Sequence, residues 1–400
     1  MPTEPLILSH YTVSNALGHG LAASWQALRE GRSGLRPIDY APVLSGRPLQ
    51  TWIGRVEGLE AVCLPPALAD YDCRNNRLAL LGLQQDGFEQ AVAVLRERLG
   101  AARIGLFLGT STSGIEETES AFARRDAQGC LPAGYRYRQT QGPFSLADFC
   151  RQYLGLCGPV QLISTACSSS LKVFAAAERH IAAGLCDAAV VGGVDSLCQS
   201  TLYGFNSLEL ISAEPCRPWD AQRNGINIGE GAGFAILQRS SEAGQGPRLL
   251  GYGESGDAWH MSTPHPEGDG AVAAMQQALA RAGLEASAID YINLHGTSTP
   301  SNDRAEDRAV LRVFGNTTPC SSTKGWTGHT LGAAGITETV FAALALEHGF
   351  MPQTLNTVSV EPGLGARVLL SPCEQPLQRV MSNSFGFGGS NASLILGRAA

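Results

Sequence analysis

Short apolar runs alternate along the chain with longer stretches whose apolar positions fall at helical spacing, the pattern of an α/β protein. The runs predict strands at Leu6–Ser9, Ile104–Leu108, Val160–Ser164, Ala188–Val191 and Gly233–Leu237. A second set follows at Arg248–Tyr252, Tyr291–Leu294, Cys320–Ser322, Val368–Leu370 and Ala392–Leu396. Ser168–Ala183 reads as a helix, alanine-rich, with Leu171, Phe174, Ile181 and Ala182 as apolar positions and Gly184 as its stop. Ala271–Ala282 and Ala333–Glu347 have the same character. The polar stretch Ser241-Glu-Ala-Gly-Gln-Gly-Pro247 is the best linker.

That linker divides the chain into halves of parallel content, 1–245 and 246–400. Ile104–Leu108 runs into Gly109-Thr-Ser-Thr112, and Tyr291–Leu294 runs through His295 into Gly296-Thr-Ser-Thr299. Val160–Ser164 leads to Thr165-Ala-Cys167 and a helix. Cys320–Ser322 leads to Thr323-Lys-Gly-Trp-Thr-Gly-His329 and a helix. Motif and element order repeating together make a duplicated α/β unit the natural interpretation.

Composition narrows the class. Of 400 residues, 44% are apolar and 16% charged, which excludes a disordered chain. Glycine, at 47 residues, exceeds the average share of about 7% and implies many turns and close backbone approaches. A net charge of −7 argues against a general nucleic-acid binder but leaves room for a local basic patch. The eleven cysteines include no C-x-x-C pair and no zinc spacing, so we expect reduced, mostly buried thiols and no metal. With neither a leader pattern nor an 18-residue apolar run, a cytoplasmic chain is expected.

Within this frame a few residues carry candidate chemistry. Cys167 stands where a buried strand turns into a helix, where the positive end of the helix dipole acidifies a thiol and exposed N–H groups can hold an oxyanion. His295 and His329 sit at strand ends among glycine and threonine. Lys324 and Glu338 flank His329 and can pair to fix its environment. Asn383-Ser-Phe-Gly-Phe-Gly-Gly-Ser-Asn391 reads as a glycine-rich turn between strands, suited to donating a backbone N–H to a reacting carbonyl. His260 and His265 have poor metal spacing and read as a structured loop.

Taken together these residues resemble the β-ketoacyl-acyl-carrier-protein synthases, decarboxylating condensing enzymes of the thiolase superfamily. The family pattern T-A-C-x-S, H-G-T-x-T-x-x-x-D, S-x-K-x-x-x-G-H-x-x-G-A-A-G and N-S-F-G-F-G-G occurs in order at Thr165–Ser169, His295–Asp303, Ser322–Gly335 and Asn383–Gly389. The resemblance implies a five-layered α-β-α-β-α fold of two duplicated halves. It implies that Cys167 takes the acyl chain as a thioester, and that His295 and His329 bind the malonyl thioester and stabilise the enolate left by decarboxylation. Lys324 with Glu338 would hold the site's electrostatics. Cys167 and Phe387 would supply oxyanion N–H groups, Phe387 would also gate the site, and Thr297, Thr299 and Phe385 would line the substrate path. No cofactor is implied; substrates would ride on the phosphopantetheine arm of acyl carrier protein.

The resemblance also implies a dimer, with itself or with a non-identical ketosynthase-like subunit. Thr112 would line the end of the acyl pocket, and Arg74, Arg77, Arg136 and Arg138 are expected to form a basic rim for the carrier. Two patterns depart from the family: Ser9-His-Tyr-Thr12 replaces a T-G-x-G turn, and Arg223-Asn-Gly-Ile226 replaces R-D-G-F. The stretches at 72–77, 109–114, 166–170 and 257–266 are closer to ketosynthases of aryl polyene pigment clusters. A housekeeping fatty-acid synthase, a non-catalytic chain-length-factor subunit and a degradative thiolase are the alternatives. The intact Cys167 and the absence of a late C-x-G motif weigh against the last two.

Overall fold

The computed structural model describes residues 5–39, 48–239 and 245–398. The first half contributes strands β1 (Leu6–Asn15), β2 (Ile104–Gly109), β3 (Val160–Ile163), β4 (Ala188–Asp195) and β5 (Gly231–Arg239). The second contributes β6 (Arg248–Gly256), β7 (Tyr291–Asn293), β8 (Pro319–Ser321), β9 (Arg379–Gly386) and β10 (Ser390–Gly397). The spatial orders are β3-β2-β4-β5-β1 and β8-β7-β9-β10-β6. Parallel and antiparallel pairings recur at the same places in both. The halves join where β1 pairs antiparallel with β6, Leu6 opposite Leu249.

Helices complete the layers. α1 (Arg74–Leu83), α2 (Phe88–Leu99) and α3 (Ser145–Leu154) cover one face of the first half-sheet. α4 (Ser169–Ala182) follows β3, and α5 (Gln199–Ser207) follows β4. In the second half, α6 (Asp269–Ala282) and α7 (Pro300–Phe314) cover the outer face, and α8 (Ala334–His348) follows β8. One core then combines α4 and α8 with the inner faces of both half-sheets, including Phe107, Val191, Phe174, Phe341, Tyr291 and Leu394. Neighbouring Leu106, Leu108 and Ile292 point the other way, into the outer cores. Both faces of the strands are therefore buried, which is why they read as continuous apolar runs. α8 is buried at every position from Ala334 to Leu346, as a helix in a middle layer must be.

The expected α-β-α-β-α duplication is thus the architecture found. The expected linker at Ser241–Pro247 lies partly outside the described residues. Several boundaries differ from expectation. The departure at Ser9–Thr12 is not a turn but part of β1, where a register shift between Leu8 and His10 absorbs the irregularity. The strand expected at Val368–Leu370 is reduced to a two-residue edge pairing, Arg367–Val368 with Pro319–Cys320. The segment expected as a turn from Asn383 is strand up to Gly386, and the turn is confined to Phe387–Gly389. Ser382, Asn383 and Ser384 are buried polar positions in that strand. Asn383 is held there by a hydrogen bond from Ser393 Oγ (2.8 Å).

Candidate active site

Cys167 is presented by a sharp turn between β3 and α4. Ala166 adopts φ +52°, a left-handed conformation costly for a residue with a Cβ, so the surroundings must hold it. The serines supply that hold. Ser168 Oγ donates to the Thr165 carbonyl (2.9 Å), Ser169 Oγ to the Ala166 carbonyl (2.6 Å), and Thr165 N–H donates to Ser169 Oγ (2.9 Å). On the far side the end of β9 presses in so closely that a Cβ on Gly386 would lie 3.2 Å from the Cys167 nitrogen. That approach brings the Phe387 N–H to the thiol, where it and the N–H of Cys167 itself favour the thiolate.

The expected acidification of Cys167 is not found. Burial pushes the thiol up to about 11, and this outweighs the opposing Lys324 charge and both N–H groups. Its helix begins only at Ser169, and the dipole acts on a sulfur that is buried apart from the cavities it lines. At neutral pH the resting group is the neutral thiol.

His329 Nε2 lies 3.0 Å from Cys167 Sγ. The backbone of His329 is pinned like a strand, its N–H donating to the Asn227 carbonyl (2.7 Å) and its carbonyl accepting from Gly229 N–H (2.9 Å). Leu331 N–H donates to His329 Nδ1 (3.2 Å), so the neutral ring carries its proton on Nε2, facing the sulfur. His295 is set by Glu306 on α7, whose two oxygens accept the N–H groups of His295 (2.8 Å) and Gly296 (2.7 Å). The Lys324 ammonium lies 3.5 Å from His295 Nδ1 and pairs with Glu338. A cation against Nδ1 leaves the His295 proton on Nε2 as well. Burial and the nearby Lys324 charge hold both imidazoles well below their ordinary pKa, and the His329 ring adds to this for His295. The two rings meet edge-on at 5.3 Å.

The site therefore offers two neutral Nε2–H donors beside a thiol, within a pair of backbone N–H groups. The sulfur and one nitrogen from each ring lie within 4.8 Å of one another, a spacing that a metal ion could also use. The hydrogen bonds argue against that use, because with both Nδ1 atoms engaged the Nε2 atoms carry protons rather than lone pairs.

Two cavities meet here. One is narrow, about 50 Å³, and is lined by His295, His329, Thr297, Thr299, Phe385 and the loop Ser262–Pro264. The other, about 420 Å³, is lined by Thr112, Ser111, Ser200, Thr201 and Leu208. Cys167 and Phe387 line both. The loop expected to be merely structural around His260 and His265 is a wall of the narrow cavity. Gly388 N–H donates to its Met261 carbonyl (2.8 Å), and its Asp257 N–H donates to the Gly389 carbonyl (2.9 Å).

The expected basic rim is corrected in part. Arg74 is not free: its guanidinium is held by the fully buried Glu230 and by Glu60. Arg77 is engaged by Asp72 at 2.6 Å. Arg136 and Arg138 are exposed, Arg136 with a loose pairing to Asp70 at 3.8 Å. Arg223 is buried between Asp303 and Glu361 and supports the loop ahead of α7.

Sequence reasoning missed two acids. Glu306 is one. The other is Asp195 at the end of β4, buried and with no ion-pair partner among the described residues. It accepts from Thr110 Oγ1 (2.6 Å), Thr112 Oγ1 (2.9 Å) and the N–H groups of Ser111 and Thr112. It also accepts from Gly332 N–H, beyond His329, and so ties the two halves together across the site. Glu306 lies three residues after the H-G-T-x-T-x-x-x-D motif, and that position was the available signal. For Asp195 the only signal was an acid ending an apolar run.

Comparison with known proteins gives the chain's family. Residues 74–243 match the model of the β-ketoacyl synthase N-terminal domain, and 248–358 that of its C-terminal domain. The 3-oxoacyl-[acyl-carrier-protein] synthase 2 of Vibrio cholerae is 31% identical over 100% of both chains. That of Coxiella burnetii is 32% identical over 100% of this chain and 99% of its own. Among solved structures, a ketosynthase (ApeO) in complex with its chain length factor (ApeC) from Xenorhabdus doucetiae superposes with a TM-score of 0.90. It is 39% identical and covers 99% of this chain and 98% of its own.

Proposed function

The chain belongs to the β-ketoacyl synthase family and is a condensing acyltransferase of the 3-oxoacyl-[acyl-carrier-protein] synthase type; from that premise we propose how its residues divide the reaction. The observation that carries the proposal is the meeting of the Cys167 thiol with two Nε2–H donors where a narrow and a roomy cavity join.

In the first half-reaction Cys167 Sγ attacks the carbonyl of an acyl thioester carried on the phosphopantetheine arm of acyl carrier protein. The oxyanion is received by the N–H groups of Cys167 and Phe387. Collapse breaks the carrier's C–S bond, and the Cys167 proton ends on the departing carrier thiol. The acyl chain lies in the cavity bounded by Thr112. In the second, malonyl-carrier enters along Thr297, Thr299 and Phe385, and its thioester oxygen accepts from His295 and His329. Carbon dioxide leaves, and the electron pair of the broken C–C bond remains as an enolate held by the two donors. The α-carbon attacks the acyl carbonyl, the C–S bond to Cys167 breaks, and the thiolate takes up a proton. Lys324, held in place by Glu338, keeps both rings uncharged donors through its own charge. No cofactor is required, and Phe387 gates between the half-reactions.

Among relatives matched over essentially the whole chain, the 39% identity to a ketosynthase paired with a chain length factor exceeds the 31–32% to the 3-oxoacyl-[acyl-carrier-protein] synthases 2 of Vibrio cholerae and Coxiella burnetii. This supports an aryl polyene or related specialised pathway and a ketosynthase-like partner subunit. No helix among the described residues is long and apolar enough to cross a membrane. The test is product formation from acyl- and malonyl-carrier protein, with the chain alone and co-purified with such a subunit. We expect a 3-oxoacyl product that Cys167→Ala abolishes; condensation surviving that change would overturn the proposal.

A further inference from the structure

Phe205 lies on the last turn of α5 and, like Cys167 and Phe387, lines both cavities. Its ring contacts that of Phe387 with centroids 5.2 Å apart and planes tilted by 41°. The two rings thus stand side by side where the chambers meet. They are mounted differently. Phe205 sits on a helix whose first N–H groups, those of Gln199 and Ser200, are held by the buried Glu119 carboxylate. Phe387 sits among glycines: Gly388 and Gly389 have φ of +76° and +68°, and nothing lies within 4 Å of where a Gly388 Cβ would be. One ring rides on a helix; its neighbour rides on a left-handed glycine turn tied through its backbone, Gly388 N–H donating to the Met261 carbonyl and the Gly389 carbonyl accepting from Asp257 N–H.

We propose that Phe205 is the positioning residue of the Phe387 gate, the stop that holds it closed over the malonyl side until Cys167 is acylated. This rests on the gating role proposed for Phe387 above. An aromatic pair of this kind shifts a two-state equilibrium by roughly two- to tenfold. Without the Phe205 ring the gate opens early, and malonyl-carrier protein is decarboxylated with no acyl chain waiting.

The experiment measures carbon dioxide release from malonyl-carrier protein without an acyl donor, beside the rate of Cys167 acylation. It compares the full chain with Phe205→Leu, Phe205→Ala, Phe205→Tyr and Phe387→Ala. Phe205→Leu and Phe205→Ala are expected to raise the ratio of unprimed decarboxylation to Cys167 acylation about three- to tenfold. Phe205→Tyr, which keeps the ring, should restore the low ratio, a rescue that a merely structural role does not predict. If Phe387→Ala raises that ratio and the Phe205 variants do not, the role of Phe205 is overturned and the gate stands. If Phe387→Ala leaves it unchanged, the gate itself fails and this inference with it. Should Phe205→Ala not fold, Phe205→Leu decides.

Discussion

The two halves share a strand order but not a task. After β2 the chain runs Leu108-Gly109-Thr-Ser-Thr112; after β7 it runs Leu294-His295-Gly-Thr-Ser-Thr299. Where the first half places the fully buried Leu108, the second places the catalytic candidate His295. Both glycines are imposed by packing: a Cβ on Gly109 would meet the Ser170 nitrogen at 2.5 Å, and one on Gly296 would meet Ser322 at 2.4 Å. The turns are then held by different acids. Asp195, from the sheet, faces Thr112 toward the roomy cavity. Glu306, from α7, fixes His295 over the narrow one. The backbone frame was kept through the duplication, and the chemistry diverged at the residues the frame presents.

The sharpest way to break this division is to remove one half's reagent and keep the other's. Cys167→Ala should lower acyl transfer by at least about 10³-fold while unprimed malonyl decarboxylation persists; loss of both would show that the halves do not separate. Next in size, His295→Ala should cost decarboxylation roughly 10²–10³-fold. Acylation of Cys167 should continue within a few-fold, read by single-turnover thioester formation.

The holding acids sharpen the comparison further. Glu306→Gln should reduce decarboxylation about tenfold, because one of two backbone N–H groups loses its carboxylate acceptor. Asp195→Asn should instead act mainly on acyl transfer and product length; an equal effect of both variants on both half-reactions would blur the distinction drawn here.

The pH dependence follows from the same electrostatics. Because burial raises the Cys167 thiol to about 11, its alkylation by iodoacetamide should keep accelerating from pH 7 to 10 without a plateau. Burial and the Lys324 charge lower His295. In Lys324→Met the ring should therefore titrate at higher pH than in the parent, closer to 6.5, by NMR; an unchanged midpoint would remove Lys324 from the account. The smallest expected effects are two: a shorter product from Thr112→Ile, and a rise of a few-fold in the carrier-protein KM when Arg136 and Arg138 become Glu.

How much of this was legible in the sequence depended on range. Strand cores such as Ile104–Leu108 and helices such as Ser168–Ala183 were legible because burial on one or both faces imposes a local period. Cys167, His295, Lys324 and His329 were legible because short motifs keep them beside turns that only certain residues can make. β9 was not: Ser382, Asn383 and Ser384 look like loop, and only the cross-strand bond from Ser393 and the sheet around them make them strand. Asp195 and Arg74 escaped for a related reason. The partners that define them, Gly332 and Glu230, lie 137 and 156 residues away. The thiol's elevated pKa was hidden because local sequence reports the helix dipole, whereas burial is a property of the whole fold.

The central claim, that the first half holds the acyl chain while the second generates the carbanion, is tested most directly by intact and peptide mass spectrometry of the His295→Ala protein. The protein would be incubated with acyl- and malonyl-carrier protein. The account predicts that the acyl group accumulates on Cys167, with malonyl-carrier left intact. A protein that stays unmodified, or an adduct on any residue other than Cys167, would contradict it.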